Sequence, residues 1–444
     1  MLGEHRIAWL ALGLSALWIT CAPAAAIELT GDLSTLGQVR EGDQSNHVES
    51  PVDIYGDLAV NGLRHGTTLD TFFRLEHDFG SGQGPTEFYT GSMHVPGAIP
   101  GVDFTLGRQF LDEVPGGVFT ADAGKIRIDP GGPVAFTVFG GQPRYFEPTY
   151  SSPLQSQDEQ VFGGSVRTTH LKNASLSLGF LQQDRNGHEV RQLISGTGTQ
   201  SFTTLPGLPN VYGTFAYDAD RQNIDLATAG GSVFLSQPRL LGNFETSYYK
   251  PQDNGKELIT PLDRREDAVF QTFSLSDLLQ FRGGLRYFLT RSISAYSNCS
   301  YQRYQQLSGI FSNGYLSNVG FLWLPGGDGL EVVQTEFYVL DSSGSHVNGG
   351  KVYYENRVYD RILFRSKLDI AAYQKDSNIS DTAVNGLLGV GYVLLPGLVG
   401  ELDLEGNRND RFNDDFRFGF FITYNFQHTP EQQNFPRGSG RRPS

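Results

Sequence analysis

The segment from Phe416 to Phe426 constrains the whole chain more than any other. Its even positions read Phe416, Phe418, Phe420, Ile422, Tyr424 and Phe426, and its odd positions Arg417, Gly419, Phe421, Thr423 and Asn425. Side chains on a strand point alternately to opposite faces, so this segment is a strand with one apolar, aromatic-rimmed face and one mixed face. Its length of about 11 residues is what a tilted strand needs to cross a bilayer.

Other segments repeat the pattern. Val102, Phe104, Leu106 and Phe110 alternate with Asp103, Thr105, Gly107 and Gln109, and Ala174, Leu176, Leu178 and Phe180 with Asn173, Ser175, Ser177 and Gly179. Ile362, Phe364, Leu368 and Ile370 alternate with Arg361, Arg365, Lys367 and Asp369, and Leu402 and Leu404 with Glu401, Asp403 and Glu405. Faces this polar need water, so neither a dry core nor lipid can meet both sides of these strands. Composition agrees: 54 glycines, 31 Phe, 20 Tyr and only 18% charged residues suit strands and turns rather than helices.

The N-terminus reads as an export signal. His5 and Arg6 precede the apolar run Ile7 to Ile19, and Ala24-x-Ala26 is a small-residue cleavage site, so residues 1–26 are expected to be removed. Beyond it no stretch approaches the roughly 18 apolar residues of a membrane helix. Links near both ends alternate in length. Val39 to Pro51 is long, Arg64-His65-Gly66 short, Phe79 to Pro85 medium and Pro96 to Gly101 short. Tyr359-Asp360 and Leu395-Pro396-Gly397 are tight, while Gln374 to Asn385 and Gly406 to Asp415 are long. These features predict an all-β chain folded as an antiparallel transmembrane β-barrel over residues 27–426. At about 20 residues per strand and connection, about 20 strands are expected, within a range of 18 to 22. The Pro-rich or polar stretches Gln142 to Asp158, Arg185 to Asn210 and Pro251 to Glu266 read as loops, or as hiding a weak strand.

Several function classes fall away. A net charge of −14 without a large basic patch leaves nothing for nucleic acid to hold. Two cysteines are too few for a zinc cluster or an iron–sulfur site, and at positions 21 and 299 they form no CxxCH haem attachment, so no metal or cofactor is expected. Cys21 falls in the signal, and Cys299, on a strand expected over 293–305, reads as a small wall residue. A GxSxG elbow, an HExxH pair and a P-loop are all missing, so no catalytic residues are assigned.

The export signal, the aromatic-edged alternation and the ending Phe420-Phe421-Ile422-Thr423-Tyr424-Asn425-Phe426 together resemble a bacterial outer-membrane porin. That resemblance implies the outer membrane of a Gram-negative bacterium, contact with its lipid, and recognition of Tyr424 and Phe426 by the barrel insertion machinery. The chain departs from the usual porin ending, because residues 427–444 follow and read as a disordered periplasmic tail. The stretches Val102 to Phe110 and Pro133 to Gly141 also look like the porin-like barrels that sheathe multihaem c-type cytochromes in electron conduits. Two functions follow: a channel passing small polar solutes or ions by diffusion, or a sheath whose lumen holds such a cytochrome.

Within a water-filled barrel the polar faces offer a basic set (Arg282, Arg286, Arg361, Arg365, Lys367) and an acidic set (Asp369, Glu401, Asp403, Glu405), read here as pore-lining residues on opposed walls. The stretch Leu111 to Gly132 is the candidate constriction loop, carrying Asp112, Glu113, Asp122, Lys125, Arg127 and Asp129, although its alternation over 125–129 also suits a strand. Arg108, on an apolar face near a strand end, is expected to snorkel to the interface. An aromatic stripe along the interior is not visible in the sequence.

Overall fold

The computed structural model describes residues 27–41, 48–79, 86–117, 119–144, 159–168, 170–237, 239–250, 278–305, 311–326, 330–342, 345–359, 361–375, 380–409 and 415–428. The expected signal, residues 1–26, and all but the first two residues of the expected tail lie outside them. The first strands are β1 (Glu28–Glu41), β2 (Val48–Glu49), β3 (Pro51–Asn61), β4 (Thr68–Asp78), β5 (Thr86–Ile99), β6 (Val102–Leu111) and β7 (Phe119–Ile128). Then come β8 (Val134–Arg144), β9 (Glu159–Thr168), β10 (Ala174–Arg185), β11 (His188–Ser201), β12 (Asn210–Asp218), β13 (Asn223–Leu235), β14 (Leu240–Tyr249) and β15 (Leu278–Phe288). The chain ends with β16 (Ile293–Gln305), β17 (Phe311–Trp323), β18 (Glu331–Ser342), β19 (Ser345–Val358), β20 (Ile362–Lys375), β21 (Ser380–Leu395), β22 (Leu398–Arg408) and β23 (Asp415–His428).

Each strand pairs antiparallel with its neighbours in sequence, and β23 returns to pair with β1 from Leu29↔His428 to Arg40↔Arg417. The two-residue β2 merely prolongs the β1–β3 hairpin, pairing Glu41 with Val48. The described residues thus form a closed barrel of 22 wall strands, at the upper edge of the expected range. With strands about 4.8 Å apart and tilted by about 40°, the backbone cylinder is roughly 45 Å across.

Alternation decides which residues see the outside. Outward positions carry Phe337 (67% exposed), Phe416 (67%), Leu388 (56%) and Leu402 (55%), far more apolar surface than a water-exposed wall tolerates. A lipid belt explains it. Among the described residues no helix is long and apolar enough to cross a membrane; the strands do the crossing.

Turn chemistry follows the usual rules. Asn186 and Gly187, both at positive φ (52° and 75°), make the two-residue link between β10 and β11. Gly397 (φ 83°) turns β21 into β22 so close to β23 that a Cβ there would sit 2.1 Å from the Asn425 carbonyl oxygen.

The structure differs from the sequence reading in four places. The stretch Arg185 to Asn210 contains a full strand, β11, whose outward side includes Gly196 and Gly198 and so shows no apolar run. Within Leu111 to Gly132, residues 119–128 are strand β7, because Ile126 and Ile128 pair with Phe104 and Val102 on the outer face. Strands β20 and β21 extend to Lys375 and from Ser380, leaving four residues where a long link is expected. The last strand runs on to His428, with Gln427 paired to Thr30. Links at the end away from the termini also vary: 186–187 is as tight as any turn, while 145–158 and 250–277 separate consecutive strands.

The belt makes a sharp distinction between adjacent residues. Leu388→Arg, at the middle of an outward face, should cost about 2–4 kcal/mol. Leu387→Arg, one residue earlier and facing the interior, should cost far less, and urea midpoints of the two refolded variants in lipid give the comparison.

Candidate functional site: the barrel interior

The inward faces are mostly polar, with an apolar patch across β6 to β11, and the charges are arranged in contact rather than on opposed walls. Arg365 of β20 reaches across β21 to Asp403 (2.6 Å) and Glu401 (2.8 Å) of β22. Gly389 makes this possible: a Cβ there would lie 2.4 Å from Asp403 Oδ1 and 2.7 Å from Arg365 Cγ. The guanidinium also lies 6.0 Å from the centre of the Phe421 ring. The basic and acidic sets expected to face one another are therefore partly one ion-paired patch on three adjacent strands, β20 to β22.

Register places Lys367, Asp369 and Glu405 on the same inner face as Arg365, and Asp369 accepts a hydrogen bond from Tyr338 at 2.7 Å. Arg282 and Arg286 stand apart on β15. Arg282 is 3.8 Å from Glu245, and Arg286 donates from Nε to Ser294. Arg361 lies in the exposed turn just before β20, its carbonyl accepting from the Val393 N–H of β21 at 2.8 Å.

A second feature is the segment 112–117 after β6. Val114 (1% exposed) leaves the wall and packs with Leu111, Phe139, Val161, Leu181 and Leu193, inward-facing residues of β6 and β8 to β11. Gly116 lies so near β12 that a Cβ would be 2.8 Å from the Ala216 methyl, and Gly117 is equally close to Leu181. Arg191 of β11 fastens the segment, donating to the Gly116 carbonyl (2.8 Å) while paired with Asp225 (3.0 Å). Lys125 holds Glu113 at 2.7 Å. An inward fold thus exists here, but it is shorter than the stretch expected.

The remaining residues of that stretch separate. Lys125 and Arg127 face inward on β7, Asp129 lies in the turn at the opposite end, and Asp112 is exposed beside Glu113. Asp122 faces outward. There it is held by Arg108 Nε (2.7 Å) and Arg144 Nε (2.7 Å). Arg108 also donates to the Phe88 carbonyl at 2.8 Å, so on the outer face its charge is paired. Tyr424 and Phe426 lie on the outer face of β23 with rings stacked at 5.5 Å, and Cys299 lies on the outer face of β16.

The interior holds aromatics that sequence reading misses. Tyr212, Tyr296 and Tyr338 face inward, and their hydroxyls donate to Glu245 (2.6 Å), Glu336 (2.7 Å) and Asp369 (2.7 Å). Tyr353 donates likewise to Glu355. Three of these rings lie over a glycine directly opposite on the next strand: Tyr212 over Gly230, Tyr296 over Gly320, Tyr338 over Gly349. Near one mouth, Arg74 is ringed by Asp53 (2.8 Å), Glu76 (2.7 Å) and Glu87 (3.5 Å), leaving an excess of negative charge. Opposite-strand Tyr–Gly pairs are the signal that could find these residues, but strand register must be known first.

A barrel closed on itself, apolar outside and charged inside, is a transmembrane β-barrel of the outer-membrane type. No protein-family model matches the chain, and no curated protein does. Among solved structures, OpdK of Pseudomonas aeruginosa with vanillate aligns over 90% of this chain and 99% of its own, at 9% identity and a TM-score of 0.46. OccK2 (OpdF) of the same organism with glucuronate aligns over 91% and 98%, at 10% identity and a TM-score of 0.45. A BenF-like porin from Pseudomonas fluorescens Pf-5 aligns over 90% and 99%, at 9% identity and a TM-score of 0.46. The likeness is one of barrel architecture and carries no residue role across.

The Arg191–Asp225 pair is open to a direct test. With Asp225 only 4% exposed, Arg191→Gln leaves a buried carboxylate unpaired and should cost about 3–5 kcal/mol. The double variant with Asp225→Asn should regain much of that. Both should speed proteolysis at 112–117, read by mass spectrometry of the fragments.

Proposed function

We propose that this barrel is a diffusion channel in the outer membrane of a Gram-negative bacterium, passing small polar solutes and ions. The observation that carries the reading is the interior itself, a largely polar and charged wall with residues 112–117 folded against its apolar patch. Such a wall keeps water in the lumen, and its charges act on solutes most strongly where the passage is narrow. In this reading Arg282, Arg286, Arg365, Lys367, Asp369, Glu401, Asp403 and Glu405 tune selectivity, while Glu113 and Lys125 border the inward segment. Residues 1–26 direct export, Tyr424 and Phe426 serve the insertion machinery, and no catalytic role is assigned to any residue.

The sheath for a multihaem cytochrome gains no support from the interior, where a patch of the inner face between β6 and β12 is occupied by the chain's own residues 112–117. A visible spectrum of the protein taken from its native membrane in mild detergent should lack a Soret band. Reconstitution in a planar bilayer tests the channel directly: discrete conductance steps are expected, and a silent bilayer with correctly folded protein would overturn the reading. Arg365→Gln removes the counter-charge of Glu401 and Asp403. The zero-current potential in a KCl gradient should therefore shift toward cation preference.

A further inference from the structure

Two concavities adjoin on the inner wall, one over β12 to β17 and the other over β14 to β18. One, of about 580 Å³, is bordered by Glu245, Gln280, Arg282, Ser300 and Gln302, and the other, of about 350 Å³, by Leu241, Arg286, Tyr296 and Gln334. Asn243 and Asn298 border both. The larger lies within the usual size range of small-molecule sites.

Strand register explains why amides meet there. Asn243 of β14 is opposite Gly284 of β15, Gly284 is opposite Asn298 of β16, and Asn298 is opposite Asn318 of β17. These residues form a single rung running sideways across four strands, prolonged by Ser232 of β13. The glycine is what closes the row: a Cβ on Gly284 would lie 2.3 Å from Asn243 Oδ1 and 2.6 Å from Asn298 Oδ1. Asn298 donates from Nδ2 to Asn318 Oδ1 at 2.9 Å, which fixes both planes. Among the described residues the Asn243 amide has no hydrogen-bond partner and is exposed to the lumen.

Elsewhere the inner wall commits its amides to its own groups, as Asn385 donates to Glu405 and Asn407, and Gln109 to the Ala123 carbonyl. Here it presents amides, each with two donors and an acceptor on a rigid plane. A lateral spacing of about 4.8 Å sets successive strands apart by a distance comparable to that between alternate hydroxyls of a sugar ring. Arg282, on the adjacent rung, lies 3.8 Å from Glu245, which also accepts from Tyr212. Arg286, on the rung to the other side, lies 5.0 Å from the centre of the Phe288 ring.

We propose that this amide rung is a subsite for neutral polyhydroxylated solutes, sugars in chemical class, in transit through the barrel. The proposal rests on the channel reading above, and two measurements separate the two. The first is block of single-channel current by D-glucose and maltotriose in a planar bilayer, with D-gluconate as the charged counterpart. The second is saturation-transfer NMR of the same three compounds with the detergent-solubilised barrel, which needs no conductance.

Resolvable block by maltotriose, with saturation transfer to its ring protons, is the expected result. Asn298→Leu should weaken it roughly three- to tenfold, the worth of one or two hydrogen bonds. Asn243→Ala should act in the same direction, and because that side chain holds nothing else in place, folding is spared. Conducting channels that gluconate engages and neutral sugars do not would overturn the subsite and leave the channel standing. Saturation transfer from maltotriose in a barrel that never conducts would support the subsite and overturn the channel.

Discussion

Everything in this molecule depends on backbone hydrogen bonds that have no alternative to one another. In hydrocarbon an unpaired N–H or C=O costs several kcal/mol, so a sheet can stand in a bilayer only if it has no edge. The pairing of β1 with β23 over a dozen positions removes that edge, and it couples the first and last strands of the described chain. A barrel in this position is not held by a core, since lipid lies on one side and water on the other.

What takes the place of a core is packing within the wall. A glycine on one strand receives the ring of its opposite number on the next, outside as at Gly37 with Phe420 and inside as at Gly349 with Tyr338. The glycine alone is a weak strand residue, and the ring alone has little to lie against; facing each other they make a flush surface on a sheet one residue thick. Inside, the hydroxyl at the ring's far end then reaches a carboxylate, so one pairing shapes the wall and its polarity together. Gly389 and Gly284 extend the principle to charges and amides, by giving Arg365 and Asp403, or Asn243 and Asn298, the room to meet.

Much of the wall was legible along the chain. Strands such as β6 and β23 announce themselves, because a lipid belt demands apolar residues at every second position without interruption. Strand β11 does not, because at Gly196 the belt is completed by Phe215 and Leu178 leaning over from the neighbouring strands. The interior was harder for a deeper reason. Arg365 and Asp403 are 38 positions apart, and Asn243, Asn298 and Asn318 lie on separate strands; what joins them is sideways register, which a single sequence does not spell out. Opposed walls were therefore a natural reading of two charged runs that in space are neighbours. The inward fold after β6 was visible in outline, while its true extent depended on whether Ile126 and Ile128 find outward partners, and they do.

The inward segment also dictates an order of events. Its residues lie between β6 and β7, yet the surface that receives Val114 is contributed by β8 to β11, and the arginine that fastens Gly116 sits on β11 beside an aspartate of β13. A hairpin made early in the chain thus carries a peg whose socket does not exist until five or six later strands have zipped into place. Until then Val114 has nowhere dry to go, and the seating of that side chain marks the moment at which this half of the cylinder is complete.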